Sequence, residues 1–312
     1  MRTRRQRSSS DPMSLNEGHR PVLLHESLEN LAIEPDDVVV DATLGGAGHA
    51  SEIVKHLDAR GIFIGIDADK DAIARAEEAL KGAPAKVILI HGNFRDIESH
   101  LGKHGIQHIT KALFDLGWSS FQLATGRGFS FLKDEPLLMT YSDSVSDNTL
   151  TAGMIVNTWK EESIADVIYG WGEERYSRQI ARGIVDARAK KPITTSFELA
   201  EIIKNAVPSM YRRGRIHPAT KTFQALRIAV NDEMGSLVQG LSSVWQLLKS
   251  DGRLACISFH SVEDREVKRF MLEKAQQGEG ERITKSPIRP SRDEALANPR
   301  SRSAKLRVIR KL

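Results

Sequence analysis

The chain has 312 residues, of which 40% are hydrophobic, so it is long enough for one large domain or two ordinary ones with a packed core. Its single cysteine, Cys256, excludes an intramolecular disulfide and a cysteine-rich metal site, and it fits a reducing compartment. No apolar run approaches the roughly 20 residues that span a bilayer, and no signal peptide is evident, so we expect a soluble, cytoplasmic protein without membrane contacts.

The chain begins with a segment rich in arginine and serine. Residues 1–18 contain few apolar side chains, so we predict a disordered basic tail. An organelle transit peptide is an alternative, although the segment lacks an amphipathic pattern. Met13 is an alternative start, in which case residues 1–12 are not translated.

From residue 38 onward, short β-type runs alternate with helical segments. The predicted strands cover 38–42, 62–66, 87–90 and 112–116, and the predicted helices cover 47–57 and 69–80. Asp69 is placed to cap the second helix. This alternation predicts an α/β fold with a doubly wound parallel sheet and right-handed connections.

The middle of the chain has a different pattern, with few strand signals and much helical periodicity. Helices are predicted over 161–171, 175–189 and 196–206, then one long helix over 223–248, a strand over 254–259, a helix over 262–274 and a surface loop over 276–302. We therefore predict one α/β domain formed by 19–125 and 223–312, with a helical domain of 126–222 inserted into it.

A glycine-rich loop over 41–49 follows the first predicted strand and leads into the first helix. At this edge of a parallel sheet open α/β folds bind ligands, and Asp67 at the end of the next strand is placed to accept hydrogen bonds from ribose hydroxyls. The dinucleotide fingerprint fails, because Ser51 stands where the third glycine belongs. S-adenosylmethionine carries an adenosine without phosphates and fits better; a tight turn in an unrelated α/β protein is the other interpretation.

Two later positions fit the same pocket. Phe94 follows the third strand, where an aromatic ring can stack on adenine, although a core position is equally compatible with the sequence. Asp115 ends the fourth strand, where a carboxylate lies close to a transferred methyl group; the alternative role is a helix cap.

Positive charge is clustered at two places. Arg212, Arg213 and Arg215 form one cluster, and the segment 300–311 forms another with six basic residues and no acidic one. Such clusters suit a polyanion, because each phosphate contact releases counterions. The alternative is two solvated faces.

Nine segments together resemble the MraW (RsmH) family of ribosomal RNA small-subunit methyltransferases. In chain order they are residues 19–24, 41–49, 66–67, 115–120, 127–131, 172–175, 217–227, 257–265 and 298–302. The resemblance implies a Rossmann-like class I methyltransferase sheet and methylation of the N4 amine of a cytidine in the decoding region of small-subunit (16S) rRNA. It also implies that the inserted helical domain recognises the RNA.

The resemblance further implies which residues hold the cofactor, S-adenosylmethionine. These are Ala47, Gly48, His49, Asp67, Phe94, Asp115 and Gln122. The implied partner is small-subunit rRNA or the assembled small subunit. The sequence does not determine the oligomeric state, and a homodimer is compatible with it. One departure concerns 136–141, where Leu138 and Thr140 replace an Asp and an Arg of the family pattern. That puts in doubt any substrate or domain contact of those two side chains.

Methyl transfer to a delocalised cytosine amine needs in-line placement and an acceptor for the amine N–H. We assign this catalytic role to Asp115 or to a backbone carbonyl near Ser119, and we consider Trp118 and Phe121 as stacking partners for an extruded base. His217 is either a proton acceptor or, as we favour, a helix cap or interface residue.

The run 260–264 resembles a metal or hydrolase motif. We interpret it as a helix start, with Ser261 as N-cap and Asp264 at the capping-box position, and we predict no metal ligands.

Three competing functions remain at this level. A methyltransferase acting on DNA or protein would share the cofactor site, and a non-catalytic RNA-binding module would share the fold. A nicotinamide oxidoreductase is disfavoured by the failed glycine fingerprint.

Overall fold

The computed structural model describes residues 20–117, 126–141, 146 and 149–312. The predicted tail over 1–18, the stacking candidates Trp118 and Phe121, and the cofactor candidate Gln122 lie outside these residues. Within them, seven strands form one sheet in the order β3-β2-β1-β4-β5-β7-β6. The strands are β1 (Val38–Asp41), β2 (Ile62–Asp67), β3 (Lys86–His91), β4 (Ile109–Asp115), β5 (Leu248–Ser258), β6 (Gly280–Arg282) and β7 (Lys305–Lys311).

The described helices alternate with the first strands and then follow one another through the middle of the chain. They are α1 (Leu24–Leu31), α2 (Gly48–Ile53), α3 (Lys70–Ala79), α4 (Ile97–Lys103), α5 (Ala152–Thr158), α6 (Glu161–Gly172), α7 (Ser177–Arg188), α8 (Ser196–Ala206), α9 (Ser209–Arg212), α10 (Ala219–Asn231), α11 (Glu233–Leu247), α12 (Ser261–Gln276) and α13 (Arg292–Ala297). No helix in the described part of the chain combines the length and apolarity that a bilayer crossing requires.

Strands β1 to β5 pair in parallel, which confirms the predicted doubly wound sheet. Their apolar runs are almost continuous because helices cover both faces, as burial of Val39, Val40, Phe63 and Ile64 shows. The predicted cap at Asp69 is also confirmed, since its side chain accepts the backbone N–H of Asp71.

The C-terminal basic segment forms strand β7, which runs antiparallel beside β5. Three of its strand residues form ion pairs, and the predicted phosphate contact of the segment stays a prediction. Lys305 and Arg307 each bind Asp264 at 2.7 Å, and Arg310 pairs with Glu281 at 2.6 Å. Apolar residues between them are buried against the sheet. These three charges therefore stabilise the fold through ion pairs.

The predicted long helix over 223–248 is wrong, because two helices cover this segment. Asp232 separates α10 from α11 and adopts a left-handed conformation with φ of 45°. The Asn231 side chain accepts the N–H of Tyr141, and Asp232 pairs with Arg95. The helix is interrupted here because contacts from distant segments stabilise a left-handed residue that the helical periodicity does not reveal.

The predicted surface loop over 276–302 is only partly correct. It contains β6, α13 and a 3-10 helix (Pro299–Ser303). Ser291 caps α13, and Glu294 of that helix accepts the N–H of Leu23 at 2.9 Å. These elements are short and rich in glycine, proline and charged residues, so their hydrophobic periodicity is too weak to predict them.

The predicted cap of α12 also needs correction. His260, not Ser261, is the N-cap, and Glu263 completes the capping box. Asp264, predicted at the capping-box position, instead binds Lys305 and Arg307. The cap lies one residue earlier than predicted because the imidazole Nδ1 of His260 can accept the N–H of Glu263 as a hydroxyl would.

Apolar residues form three clusters. Two cover the two faces of the sheet, and the third is made by residues from Phe129 to Leu226 in helices α5 to α8 and α10. Helix α10 contributes Ala219, Phe223 and Leu226 to the third cluster, while Ile228 packs against the sheet. The domain boundary predicted at 222/223 falls inside this shared helix.

Candidate active site

Three neighbouring strands end in an aspartate at the same edge of the sheet. Asp41, Asp67 and Asp115 are the last residues of β1, β2 and β4, and β1 lies between the other two strands. Burial raises the pKa of Asp41 to about 7. The edge therefore holds three carboxyl groups in little space, which favours a cationic or hydrogen-bond-donating ligand.

The glycine-rich loop is tied to Asp67. Gly45 has a φ of +52°, and its N–H donates to Asp67 Oδ2 at 2.7 Å. The other carboxylate oxygen accepts the N–H of Asp69 at 2.9 Å. Each oxygen keeps a lone pair, so the carboxylate is oriented by the backbone and can still accept hydroxyl hydrogens. Burial raises the pKa of Asp67.

Asp115 contacts His49 behind the loop. Oδ2 of Asp115 lies 3.4 Å from Nδ1 of His49, and Nε2 of His49 lies 3.1 Å from the carbonyl oxygen of Val22. Because a carbonyl only accepts, we assign the ring proton to Nε2. Burial lowers the pKa of His49 and raises the pKa of Asp115 to about 7. A neutral His49 then offers its Nδ1 lone pair to Asp115, so the pair can store one proton near neutral pH.

The second oxygen of Asp115 lacks a hydrogen bond of ordinary geometry. Oδ1 is buried and has no such partner among the described residues, although the backbone N–H of Gly117 lies close to this carboxyl and opposes the rise in its pKa. A buried carboxyl oxygen without a full donor costs free energy, and such atoms in native structures usually mark a ligand or water position. Because Asp115 lines the cleft, its carboxyl can accept an N–H from a ligand there.

A cleft that is partly open to solvent runs along this edge of the sheet. One end is lined by Asp67, Asn93 and Phe94, and the middle by Thr43 and Asp115. We call this side, formed by the carboxyl ends of β1 to β4, the near wall.

The opposite side of the cleft, which we call the far wall, is lined by Tyr141, Asn231, Glu233 and Glu263. Glu233 pairs with the buried Arg227, whose Nη2 donates to it at 2.8 Å, and it accepts the Tyr141 hydroxyl at 2.8 Å. Glu263 accepts the N–H groups of Phe259 and His260, just before α12, and lies 3.0 Å from His260 Nε2. The far wall is thus a connected polar network whose side chains are held in place.

Two far-wall carboxylates and the neighbouring His260 have the arrangement of metal ligands. Atoms of Glu233, His260 and Glu263 lie within 4.8 Å of one another. Arg227, however, binds Glu233 and places a guanidinium nitrogen 3.4 Å from His260 Nε2. This cation compensates the carboxylate charge and opposes a second cation at the same place.

The predicted cofactor residues occupy different depths. Asp67, Phe94 and Asp115 line the cleft, and Phe94 is half-buried with its ring edge-on to Phe114 at 5.4 Å. Ala47 and His49, at the end of the glycine-rich loop, are buried. Gly48 packs so closely on Pro21 that a Cβ atom would approach that ring to 3.0 Å. These three residues anchor the end of the loop and do not line the cleft, and Gln122 lies outside the described residues.

Several residues that line the cleft are not predicted from the sequence, among them Tyr141, Asn231, Glu233 and Glu263. Tyr141 stands in the segment that departs from the family pattern. The predicted long helix over 223–248 contains Asn231 and Glu233, and Glu263 lies in the run interpreted as a helix start. The available signals were the Asn-Asp-Glu sequence at 231–233, which is polar and turn-compatible, and the acidic residue three positions after His260.

The predicted arginine cluster is exposed, but its members differ. Arg212 donates to the carbonyl oxygens of Val207 and Asn205 at 3.0 and 3.1 Å, so its guanidinium also closes the end of α8. Arg213 and Arg215 are exposed and form no ion pair with another described residue. His217 accepts the N–H of Ala219 through Nδ1 at 3.2 Å, which agrees with the favoured capping role.

Comparison with known proteins identifies the family. The model of the MraW methylase family matches residues 16–312. A protein from Clostridioides difficile named ribosomal RNA small subunit methyltransferase H is 43% identical, over 94% of this chain and 99% of its own length. A protein of the same name from Deinococcus deserti is 48% identical, over 94% of this chain and 93% of its own length.

Among solved structures, TrmN from Thermus thermophilus superimposes with a TM-score of 0.44 at 12% identity, covering 96% of this chain and 51% of that one. The doubly wound sheet is the Rossmann-like class I methyltransferase fold that the sequence resemblance predicts. The match over almost the whole chain and the identity of 43% and 48% to two full-length relatives show that this chain is a methyltransferase and belongs to the MraW methylase family.

Proposed function

We propose that this methyltransferase transfers a methyl group from S-adenosylmethionine to the N4 amine of a cytidine in the decoding region of small-subunit rRNA. Family membership and the shared name of the relatives support the substrate class. The observation that carries the chemistry is that Asp115 lines a cleft beside the glycine loop and Asp67, and that its buried Oδ1 lacks a hydrogen bond of ordinary geometry. An RNA substrate of this kind would place the protein in the cytoplasm.

The near wall fits S-adenosylmethionine. Asp67 keeps lone pairs for the ribose hydroxyls, and the half-buried ring of Phe94 offers a stacking surface for adenine. When bound, this cofactor supplies a methyl group activated by a sulfonium. Three carboxyl groups at the strand ends suit that positive charge.

Asp115 is proposed to orient the amine. Its Oδ1 can accept one amine N–H, which holds the nitrogen in line with the methyl group and increases electron density on it. Because burial raises the pKa of Asp115 to about 7, the ionised acceptor becomes more populated as pH rises through neutrality. The rate of the chemical step should therefore increase between about pH 6 and 8, and His49 can hold the proton that Asp115 gains.

The helical segment over 126–222 is proposed to recognise RNA. It contributes the exposed Arg213 and Arg215, and it meets the cleft through Tyr141 and helix α10. An unpaired or splayed RNA is the expected substrate, because base pairing occupies the N4 amine. Binding should weaken steeply with added salt, and a salt-insensitive complex would contradict this assignment.

A parallel transfer assay tests the proposal. Labelled S-adenosylmethionine is supplied with assembled small subunits, free small-subunit rRNA, DNA or protein, and modified nucleosides are identified by mass. We expect label in small-subunit rRNA as N4-methylcytidine, with Asp115→Asn inactive on every acceptor. Label mainly in DNA or protein, or on another atom of the RNA, would overturn the proposed substrate. Failure to bind S-adenosylmethionine in calorimetry would favour a non-catalytic RNA-binding module.

A further inference from the structure

An aromatic stack reaches the surface of the helical segment beside the arginine cluster. The ring of His217 lies parallel to the ring of Phe131, with centroids 4.5 Å apart and an interplanar angle of 19°. Phe131 is in turn edge-on to Phe223, at 5.2 Å and 80°. Phe223 is buried in the helical core, whereas His217 is exposed. A rigid stack thus begins in the core and presents a ring to solvent.

The outer ring has a fixed orientation and a defined protonation. Because His217 Nδ1 accepts the N–H of Ala219, Nε2 carries the proton of the neutral ring. Partial burial, with the nearby charge of Lys204, lowers the pKa of His217. The ring is therefore neutral at physiological pH and is held in place on one side by Phe131 and on one edge by the start of α10.

The surroundings of this ring are apolar and mostly cationic, and Glu201 is an acidic neighbour that acts on its pKa beside Lys204. Leu132 and Ile216, the chain neighbours of the two stacked residues, are 81% and 59% exposed. Exposed apolar side chains grouped around a ring are characteristic of interaction sites. Arg213 and Arg215 lie just before His217, and the segment 209–217 contains no acidic residue. Apolar stacking surface next to unpaired cations complements a single-stranded nucleic acid, whose bases stack and whose phosphates are negative.

A second stack lies between this surface and the cleft in the chain. Phe129 is stacked with Tyr141 at 5.6 Å and 23°, and Tyr141 lines the far wall. Phe129 and Phe131 are separated by one residue, so their Cα atoms are at most about 7 Å apart. The two stacks are therefore on the same short segment, and an RNA strand with its target base in the cleft can extend to His217 over several nucleotides.

We propose that His217, supported by Phe131, is a stacking platform for an unpaired base that flanks the methylated nucleotide, with Arg213 and Arg215 holding the adjacent phosphates. This inference rests on the proposed RNA substrate. The proposal assigns His217 a role beyond the helix cap. Capping uses only Nδ1 of the ring, and Phe131 covers one ring face, so the other face can stack on a base.

Two substitutions separate stacking from capping. His217→Asn keeps a side-chain acceptor for the Ala219 N–H but removes the ring, whereas His217→Phe keeps a ring and removes the acceptor. Affinity for a short, unstructured, cytidine-containing RNA is measured by fluorescence anisotropy, together with thermal stability and the affinity for S-adenosylmethionine. Stacking on one base predicts that His217→Asn loses roughly 5- to 150-fold in RNA affinity and that His217→Phe stays close to wild type.

A third variant gives a direct signal. His217→Trp should bind RNA at least as well as wild type, and its added fluorescence should be quenched when a base stacks on it. Cofactor affinity should be unchanged in all three variants. The opposite pattern, in which Asn retains RNA affinity and Phe loses it, would overturn the platform and leave the cap as the role of His217. If wild-type protein binds and methylates small-subunit rRNA but none of the ring substitutions matters, the platform fails while the proposed function stands. If wild-type protein neither binds nor methylates that RNA, both fail.

Discussion

The two walls of the cleft are built in different ways. The near wall comes from strand ends and one short loop, so that Asp41, Asp67 and Asp115 meet because parallel neighbours end at one edge. The far wall brings together Tyr141, Glu233 and Glu263 from three distant segments, held by ion pairs and hydrogen bonds. A local motif is sufficient to predict the first wall, while the second depends on how the helical segment packs against the sheet.

The largest effect is expected at Asp115 on the near wall. Asp115→Asn removes the anionic acceptor without changing side-chain size, so the single-turnover rate of methyl transfer should fall by about 10²- to 10⁴-fold. Asp71→Asn, an exposed acid at the start of α3, is the matched control and should be fully active. Turnover near wild type with saturating cofactor would show that Asp115 does not take part in methyl transfer, and the near wall would then serve only to bind the cofactor.

On the far wall, Glu233→Gln should mainly reduce stability. It leaves the buried guanidinium of Arg227 without its anion, which typically costs about 3–5 kcal/mol in the free energy of unfolding. Glu281→Gln breaks the more exposed pair with Arg310 and should cost about 0–1 kcal/mol. Denaturant unfolding measures both. An equal, small loss in the two variants would contradict the view that the far wall is held by a buried ion pair.

Asp67→Asn should weaken cofactor binding more than it affects RNA binding. The amide keeps only one acceptor oxygen, so one charge-assisted hydrogen bond to the ribose is lost, worth about 1.5–3 kcal/mol. Calorimetry with S-adenosylmethionine gives the affinity, and Asp69→Asn, which preserves the helix cap, serves as control. Unchanged cofactor affinity in Asp67→Asn would mean that the acid serves only the loop backbone.

The buried carboxyl groups of the near wall should also affect the pH dependence of stability. Burial raises the pKa of Asp41 from 3.8 to about 7, so the folded state binds the proton more tightly than the unfolded state. The contribution of protonated Asp41 to the free energy of unfolding is therefore fully present below about pH 4. It is lost as pH rises to about 7, by up to about 1.4 kcal/mol per pH unit. Asp41→Asn removes this loss, so its stability relative to wild type should increase across that window. A constant difference between the two proteins from pH 4 to 7 would contradict the buried-acid interpretation.

The smallest effect is expected for Tyr141→Phe. The hydroxyl donates to Glu233, which keeps its ion pair with Arg227, so the loss should be about 1 kcal/mol in the free energy of unfolding. Tyr169→Phe, at an exposed position, should be neutral. A loss several times larger for Tyr141→Phe would show that this hydroxyl, rather than Arg227, holds the far wall together.

The sequence predicts the near wall well because its signals are local. Apolar runs place β1 to β4, the glycines place the loop, and the positions of Asp67 and Asp115 follow from strand ends. The break at Asp232 has only a weak local signal, the polar run at 231–233, because α10 and α11 share one helical periodicity and the bend is stabilised by tertiary contacts of Asn231 and Arg95.

Strand β7 was missed for a related physical reason. Its basic side chains suggest a solvated surface, yet Lys305 and Arg307 both pair with Asp264. Because this partner lies far away in the sequence, the local charge pattern does not predict the ion pairs.

The most direct measurement is a mass map of modified nucleotides in small-subunit rRNA from cells that lack this protein, complemented with wild type or with Asp115→Asn. We predict that one cytidine of the decoding region lacks its N4 methyl group in the deletion, regains it with wild type, and remains unmethylated with Asp115→Asn at equal protein level. A modification map that is unchanged by the deletion, or restored equally by Asp115→Asn, would contradict the proposed function of the cleft or the role of its central carboxylate.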